Sequence, residues 1–251
     1  MDSVHLHYHQ SDNFGDALAP WLVRKLSPKP PFYVTSDCPV PHYVICGSIL
    51  SGANENAIIW GAGLSKFNEP VSKYKEILRV RGKLTRDMIM SHGYSCPEVY
   101  GDPGILLSRL YQPQISKKYK LGIMAHWVDY DKCLRDFKPY VNLEVNVIDL
   151  MLPTEQVIDE MLKCENIISS SLHGLIAAHS YGLPSAWVEF SDKVIGNGFK
   201  FFDYFSSINM PYHQPLNLRE KKSLGEILPN IQKFDIDPRY LDTFLNSCPF
   251  K

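Results

Sequence analysis

The sequence predicts an α/β protein of two Rossmann-like halves facing a central cleft. Three observations lead to it. Short apolar runs alternate with helix-length amphipathic segments, each run stops at a Gly- or Ser-containing turn, and the pattern starts afresh near Tyr119. Strands alternating with helices imply a mostly parallel sheet. Such sheets bind ligands beyond the carboxyl ends of their strands, which is where the informative turns of this chain fall.

The first half is expected over residues 1–112. Val4–Tyr8 alternates apolar and polar residues, and Asn13-Phe14-Gly15-Asp16 then turns into a helix carrying Leu18, Trp21, Leu22 and Leu26. Tyr43–Cys46 reads as a strand stopped by Gly47-Ser48, and Ala57–Trp60 as another stopped by Gly61-Ala62-Gly63. Glu76–Val80 is a third, followed by Arg81-Gly82-Lys83 and a helix around Leu84–Ser91. The segment Leu107–Lys120, with Pro113 and a Lys pair, is expected to be the linker. In the second half, 118–251, Leu121–Ala125, Val145–Asp149, Asn166–Ser169 and Ser185–Phe190 read as strands. Thr154 is placed to cap a helix with Val157, Ile158, Met161 and Leu162 on one face. The helix after Ser171 carries Leu175, Ile176 and His179 and should stop at Gly182-Leu183-Pro184.

The bulk numbers narrow the function. With 251 residues, 45 % apolar and 21 % charged, the chain can build a sizeable core. A formal net charge of -1 provides no basic field for nucleic acid or a membrane surface, so an anionic ligand must be held by local cations. The first ten residues lack the basic and apolar regions of a signal peptide, and no apolar run approaches the ~18 residues of a membrane span. A cytoplasmic protein, with at most peripheral membrane contact, is the expectation. The six cysteines show no C-x-x-C pair, so they read as reduced thiols.

Ile167-Ile168-Ser169-Ser170-Ser171-Leu172-His173-Gly174 is the strongest local signal. A helix N-terminus there would present free N–H groups and the positive end of its dipole, and the serines would add donors. Gly174 would allow close backbone approach, and His173 would point into the cleft. The plain alternative is that the serines only cap the helix. Next is Arg79-Val80-Arg81-Gly82-Lys83-Leu84-Thr85-Arg86, four cations at a strand-to-helix turn. Arg81 is best placed for a carboxylate or phosphate, whereas Arg86, one turn on, has a carboxylate pair as its alternative. Asn13 and Asp16 suit an N-cap, or Asp16 could deprotonate a hydroxyl. Gly47-Ser48, His126 at a strand end, and Lys200 in the loop Gly196–Tyr204 are weaker candidates. His5, His7 and His9 alternate along a strand without carboxylate or Cys partners, so no metal is expected. Gly61-Ala62-Gly63 lacks the dinucleotide spacing, and no phosphate-binding P-loop motif is present, so no nucleotide cofactor is expected either.

Taken in order, N-F-G-D at Asn13–Asp16, C-G-S-I-L at Cys46–Leu50, W-G-A-G-L at Trp60–Leu64, R-V-R-G-K-L-T-R at Arg79–Arg86, Y-G-D-P-G-I-L-L at Tyr100–Leu107, the run Ile167–Pro184 and the run Gly196–Ile208 resemble the polysaccharide pyruvyl transferase family. The resemblance covers roughly residues 1–208. It implies a GT-B-like two-domain fold, phosphoenolpyruvate as donor and no cofactor; the acceptor is a sugar, with lipid-linked and nucleotide-linked forms both left open. It also implies that His173 and Arg81 lie at the donor. Some members carry Arg where this chain has Ser171, which leaves donor charge to Arg81, Arg86 and Lys200. The roles expected are His173 as general acid, Arg81 as donor clamp and Asp16 as base. Asn13, Gly47, Ser48, Arg86, His126, Ser170, Ser171, Leu172, Gly174 and Lys200 are expected to bind substrate. Two other readings are a nucleotide-sugar glycosyltransferase, for which Glu189 is the one candidate ribose-binding carboxylate, and a non-catalytic glycan-binding module.

Overall fold

The computed structural model describes residues 2–141 and 143–250. Five strands form the first sheet: β1 (Val4–Leu6), β2 (Pro31–Tyr33), β3 (His42–Val44), β4 (Ala57–Trp60) and β5 (Glu76–Arg79). They are all parallel, in the order β2-β1-β3-β4-β5. A second sheet repeats the design with β6 (Tyr119–Met124), β7 (Val145–Val147), β8 (Cys164–Ser169), β9 (Ser185–Glu189) and β10 (Leu216–Asn217), in the order β10-β9-β8-β6-β7. Its pairs are parallel too. Read from its own first strand, each sheet therefore has the order 2-1-3-4-5. That order reverses direction beside the first strand, between β1 and β3 in one sheet and between β6 and β8 in the other. A crevice opens at such a switch point, because the connections on either side leave toward opposite faces.

The helices are α1 (Phe14–Leu26), α2 (Lys83–Ser91), α3 (Leu107–Leu110), α4 (Tyr130–Asp136), α5 (Thr154–Leu162), α6 (Leu172–Ser180), α7 (Phe199–Ser207), α8 (Leu224–Ile227) and α9 (Pro238–Asn246). The expected strands are present, most with earlier ends. β1 stops at Leu6 rather than Tyr8, and β3 at Val44 rather than Cys46. β2 was not among the expected strands; it is an edge strand with its proline at the first position, where no ladder donor is needed. Thr154 does not cap α5: Pro153 holds the N-cap position and Thr154 is the first helical residue. The linker is shorter than expected, because Leu107–Leu110 is helical with Leu107 buried and β6 begins at Tyr119.

Packing departs from the division of the sequence at 112 and 118. Leu18 and Leu22 of α1, Ile105, Ile176 of α6 and Phe244 of α9 belong to one buried cluster that runs through both sheets' helices. α9 returns to the first sheet, with Phe244 against Trp60 at 5.2 Å and the Arg79 guanidinium 3.7 Å from the Phe244 ring centre. α7 packs on α2, where Asp203 accepts from the Thr85 N–H at 2.8 Å and so caps that helix from the other end of the sequence. Gly82 makes this possible: a Cβ there would come within 1.8 Å of the Asp203 carbonyl oxygen. Residues 199–207 and 238–250 thus pack with the first half although they follow the second in sequence.

Candidate active site

The two switch points face one cavity of about 570 Å³. The loops after β1 and β3 bring His9, Ser11, Asn13, Gly15, Asp16, Gly47 and Ser48 to it. The loops after β6 and β8 bring His126, Trp127, Ser171, Leu172 and His173, and Met151 and Lys200 complete the wall. Helices α1 and α6 both enter the cavity by their N-termini.

The two termini differ in their capping. Asn13 caps α1, its Oδ1 accepting from the Gly15 N–H at 3.2 Å. Ser11 Oγ accepts from the Asn13 N–H and donates to Asp16 Oδ2 at 2.7 Å, which fixes the carboxylate at the cavity wall. By contrast, Ser171 at the N-cap of α6 makes no side-chain bond to its helix. Ser169 Oγ accepts from the Ser171 N–H and lies within hydrogen-bond reach of the Met124 and Ser171 carbonyls, while Ser170 Oγ accepts from the His126 N–H. The serines therefore shape the turn and leave the first N–H groups of α6 uncapped, with the positive end of the helix directed at the cavity. Gly174 has a different role from the one expected. It faces β6 and β8, where a Cβ would meet Ser169 Oγ at 2.4 Å, so it permits helix-on-sheet packing rather than ligand approach.

His173 sits on the second turn-forming residue of α6 with its ring against Gly15 of α1, where a Cβ would lie 2.4 Å from Nδ1. Its Nε2 is 3.6 Å from Oδ2 of Asp102, a carboxylate with no exposed surface. Neither of those two atoms has a hydrogen-bond partner among the described residues.

The two arginines are not where they were expected. Arg81 has no exposed surface and does not line the cavity. Its Nε donates to Asp203 Oδ2 at 2.9 Å, Nη1 to Ser48 Oγ at 2.7 Å and Nη2 to the Leu64 carbonyl. Gly63 accommodates the guanidinium, since a Cβ would come within 2.6 Å of its Cζ. Arg81 thus holds a cavity residue, Ser48, and welds α7 to the first sheet, instead of offering an open fork. Arg86 is also away from the cavity, bonded to the Cys96 carbonyl and to Glu98 at 3.1 Å. Lys200, at the start of α7, is the lysine that does reach the wall. Burial pulls its amine down to about 8, with the nearby Arg81 charge adding to the depression and Asp16 opposing it. Burial also lowers His126 to about 4, with Lys200 contributing, so that ring is neutral near pH 7.

The sequence model of the polysaccharide pyruvyl transferase family matches residues 13–192. The chain belongs to this family. Over 213 residues, 81 % of the chain, it is 33 % identical to uncharacterized protein L143 of Acanthamoeba polyphaga mimivirus, covering 74 % of that protein. Over 213 residues it is 27 % identical to succinoglycan biosynthesis protein ExoV of Rhizobium meliloti (strain 1021), spanning 64 % of its length. No solved structure matches.

For this pyruvyl transferase family member, the structure brings together Asn13, Asp16, Gly47, Ser48, His126, Ser171, Leu172, His173 and Lys200 from the residues expected at the site. Ser170 stands just behind them, bonded to the backbone of His126. Arg81, Arg86 and Gly174 are elsewhere, as described. Glu189, the candidate for a ribose, pairs with Arg219 at 3.1 Å on the surface. Sequence reasoning missed Trp127, 65 % exposed at the cavity, because a single tryptophan after a strand has no pattern. It also missed Asp102 and Asp203. Both lie in motifs that were noticed, yet their partners are 71 and 122 residues away along the chain. Among the described residues no group of three or more His, Cys, Asp or Glu could hold a metal ion, and no helix is long and apolar enough to cross a membrane.

Proposed function

We propose that the chain transfers pyruvate from phosphoenolpyruvate to two hydroxyls of a sugar in a polysaccharide or its precursor, forming a ketal. The observation that carries this reading is the convergence of the uncapped N-terminus of α6, the buried amine of Lys200 and His173 on one cavity with Asp16. A helix N-terminus and a desolvated ammonium suit a small polyanion. Membership of the family supports pyruvyl transfer as the chemistry, and the same reading takes the two sheets as facing halves of a GT-B-like fold working in the cytoplasm.

His173 gives a proton to the methylene carbon of the enol, which makes the neighbouring carbon electrophilic. The first sugar hydroxyl adds there and its proton passes to Asp16. The phosphate leaves with the bonding electrons of its C–O bond, and the second hydroxyl closes the ring. Of the two hydroxyl protons, one replaces that lost by His173 and the other departs with phosphate. Lys200 and the N–H groups of α6 hold the phosphate as it gains charge. Trp127 gives the sugar ring a flat apolar face at the cavity rim. Closure of the cavity over the substrates keeps water from the activated enol.

The test is acceptor-dependent phosphate release from phosphoenolpyruvate, with the ketal identified by mass spectrometry. His173→Ala should lower turnover by about 10²–10⁴-fold while the protein still melts as the parent does. Full activity in that variant would assign the proton to another group. Turnover with nucleotide sugars but not phosphoenolpyruvate would replace the reading with glycosyl transfer.

A further inference from the structure

Asp102 follows the Val80–Tyr100 bridge at the edge of the first sheet and begins the turn Pro103–Leu106. Its Oδ1 accepts from the Gly104 N–H at 2.9 Å, which accounts for that oxygen. Oδ2 is buried and has no hydrogen-bond partner among the described residues. A buried carboxylate oxygen without a partner is expensive, so it calls for a reason. The ionisable groups that feel Asp102 include Cys46, Tyr204 and Tyr240. Burial pushes the first two well up and Tyr240 to about 12, so none of the three is charged near neutrality, and none can be a cation. What faces Oδ2 is the equally unpartnered Nε2 of His173, 3.6 Å away across the junction of the two halves. Asp16 and Lys200 share the cavity with that histidine, together with Ser11 and Ser48.

Resting on the pyruvyl-transfer reading, we propose that Asp102 is the positioning residue for His173: its Oδ2 takes the Nε2–H, and this fixes the ring so that Nδ1 gives the proton to the methylene carbon. Nδ1 lies over Gly15, a cavity residue, whereas Nε2 is shut away from the cavity. A separation of 3.6 Å is too long for a hydrogen bond at rest. It shortens when the ring is protonated, as catalytic contacts do once the site is occupied. The carboxylate then keeps one proton on Nε2 through the cycle, and the Nδ1–H bond is the one that breaks as the C–H bond forms. Asp102 never touches the substrate; it acts through the ring.

Asp102→Asn separates this role from a structural one. The amide oxygen can still accept from Gly104, so the turn keeps its cap, and the NH₂ is then forced against Nε2. That nitrogen must become an acceptor, and the ring proton moves to Nδ1. Nitrogen-15 NMR of His173 should show the neutral ring protonated on Nε2 in the parent and on Nδ1 in Asp102→Asn. The turnover number with phosphoenolpyruvate should fall by about 10²–10⁴-fold, with KM for phosphoenolpyruvate and melting temperature unchanged. A neutral ring protonated on Nδ1 in the parent overturns the proposal without any variant. Equal turnover in the two proteins also overturns it and leaves pyruvyl transfer standing. If the parent makes no ketal from phosphoenolpyruvate, the functional reading fails, while the NMR result still decides what Asp102 does to the ring.

Discussion

Lys200 is a charge that the folded protein holds at a cost. An ordinary lysine titrates near 10.5, and this one is pulled to about 8, mainly by burial. The difference of roughly 2.5 units corresponds to about 3 kcal/mol against the charged form in the folded state. Its sign is fixed by linkage. Below pH 8 the amine is protonated in both the folded and the unfolded chain, and the whole penalty is felt. Between about 8 and 10.5 the unfolded chain holds a proton that the folded chain has lost, so stability should rise with pH across that window. Replacing the amine by an apolar group of similar length removes the penalty. Lys200→Met should therefore be more stable at pH 7 by up to about 3 kcal/mol, a rise of roughly 6–12 °C in melting temperature for a chain of this size. The same variant should lose most of its affinity for phosphoenolpyruvate, because a desolvated cation at the cavity wall has gone.

Calorimetric melting and titration of phosphoenolpyruvate into both proteins would measure the two effects together. In the parent, donor affinity should weaken by about tenfold per pH unit above pH 8, as the amine loses its proton, and in Lys200→Met that dependence should vanish. A variant that is less stable and binds the donor as tightly as the parent would refute the reasoning on both counts, showing Lys200 to be a structural cation with a partner in the fold.

Arg81→Lys should act mainly on stability, lowering it by about 3 kcal/mol by urea denaturation, because the bonds to Ser48 and Leu64 disappear with the fork; a larger effect on donor affinity than on folding would return Arg81 to the donor site. Asp16→Asn keeps the shape and the bond from Ser11, so ketal formation should slow by at least ~10²-fold with donor affinity by calorimetry nearly unchanged, and a parallel loss of both would place Asp16 with the donor. Trp127→Ala should raise KM for the sugar up to about tenfold and leave that for phosphoenolpyruvate alone; the reverse pattern would put the acceptor elsewhere.

The sequence was most legible where chemistry and local geometry coincide. Asn13–Asp16 and Ser169–His173 each pair a strand end with a helix start, and a strand end at a switch point is where a parallel sheet meets its ligand. Reading them required only period, turn residues and the rule about carboxyl ends. What escaped was decided by contacts across the chain. The basic run Arg79–Arg86 has the composition of an anion site, but Asp203, 122 residues later, completes the Arg81 guanidinium and removes it from the cavity. Arg86 is taken by Glu98 and the Cys96 carbonyl. Periodicity likewise says nothing of the destination of α9, whose Phe244 has its partner in Trp60 of the first sheet.

Those long-range contacts also explain how a lysine comes to stand at the cavity wall that holds Asp16. Arg81 and Asp203 form a buried, neutral pair, and such pairs contribute little to stability for their cost in desolvation. Their effect is positional. Asp203 bonds Arg81, the Thr85 N–H and the Thr85 hydroxyl at once, so α7 cannot slide on α2 without breaking all three. Lys200 lies three residues before Asp203, almost one turn along the same helix, and inherits that fixed position. The pair thereby sets where the amine stands relative to Asp16 and His126, two of the groups with which it interacts electrostatically, Arg81 itself being another. A free arginine in the cavity would supply charge without such placement. Here Asp203 pairs with the guanidinium away from the cavity, and a lysine carried by the anchored helix delivers the cation to the wall.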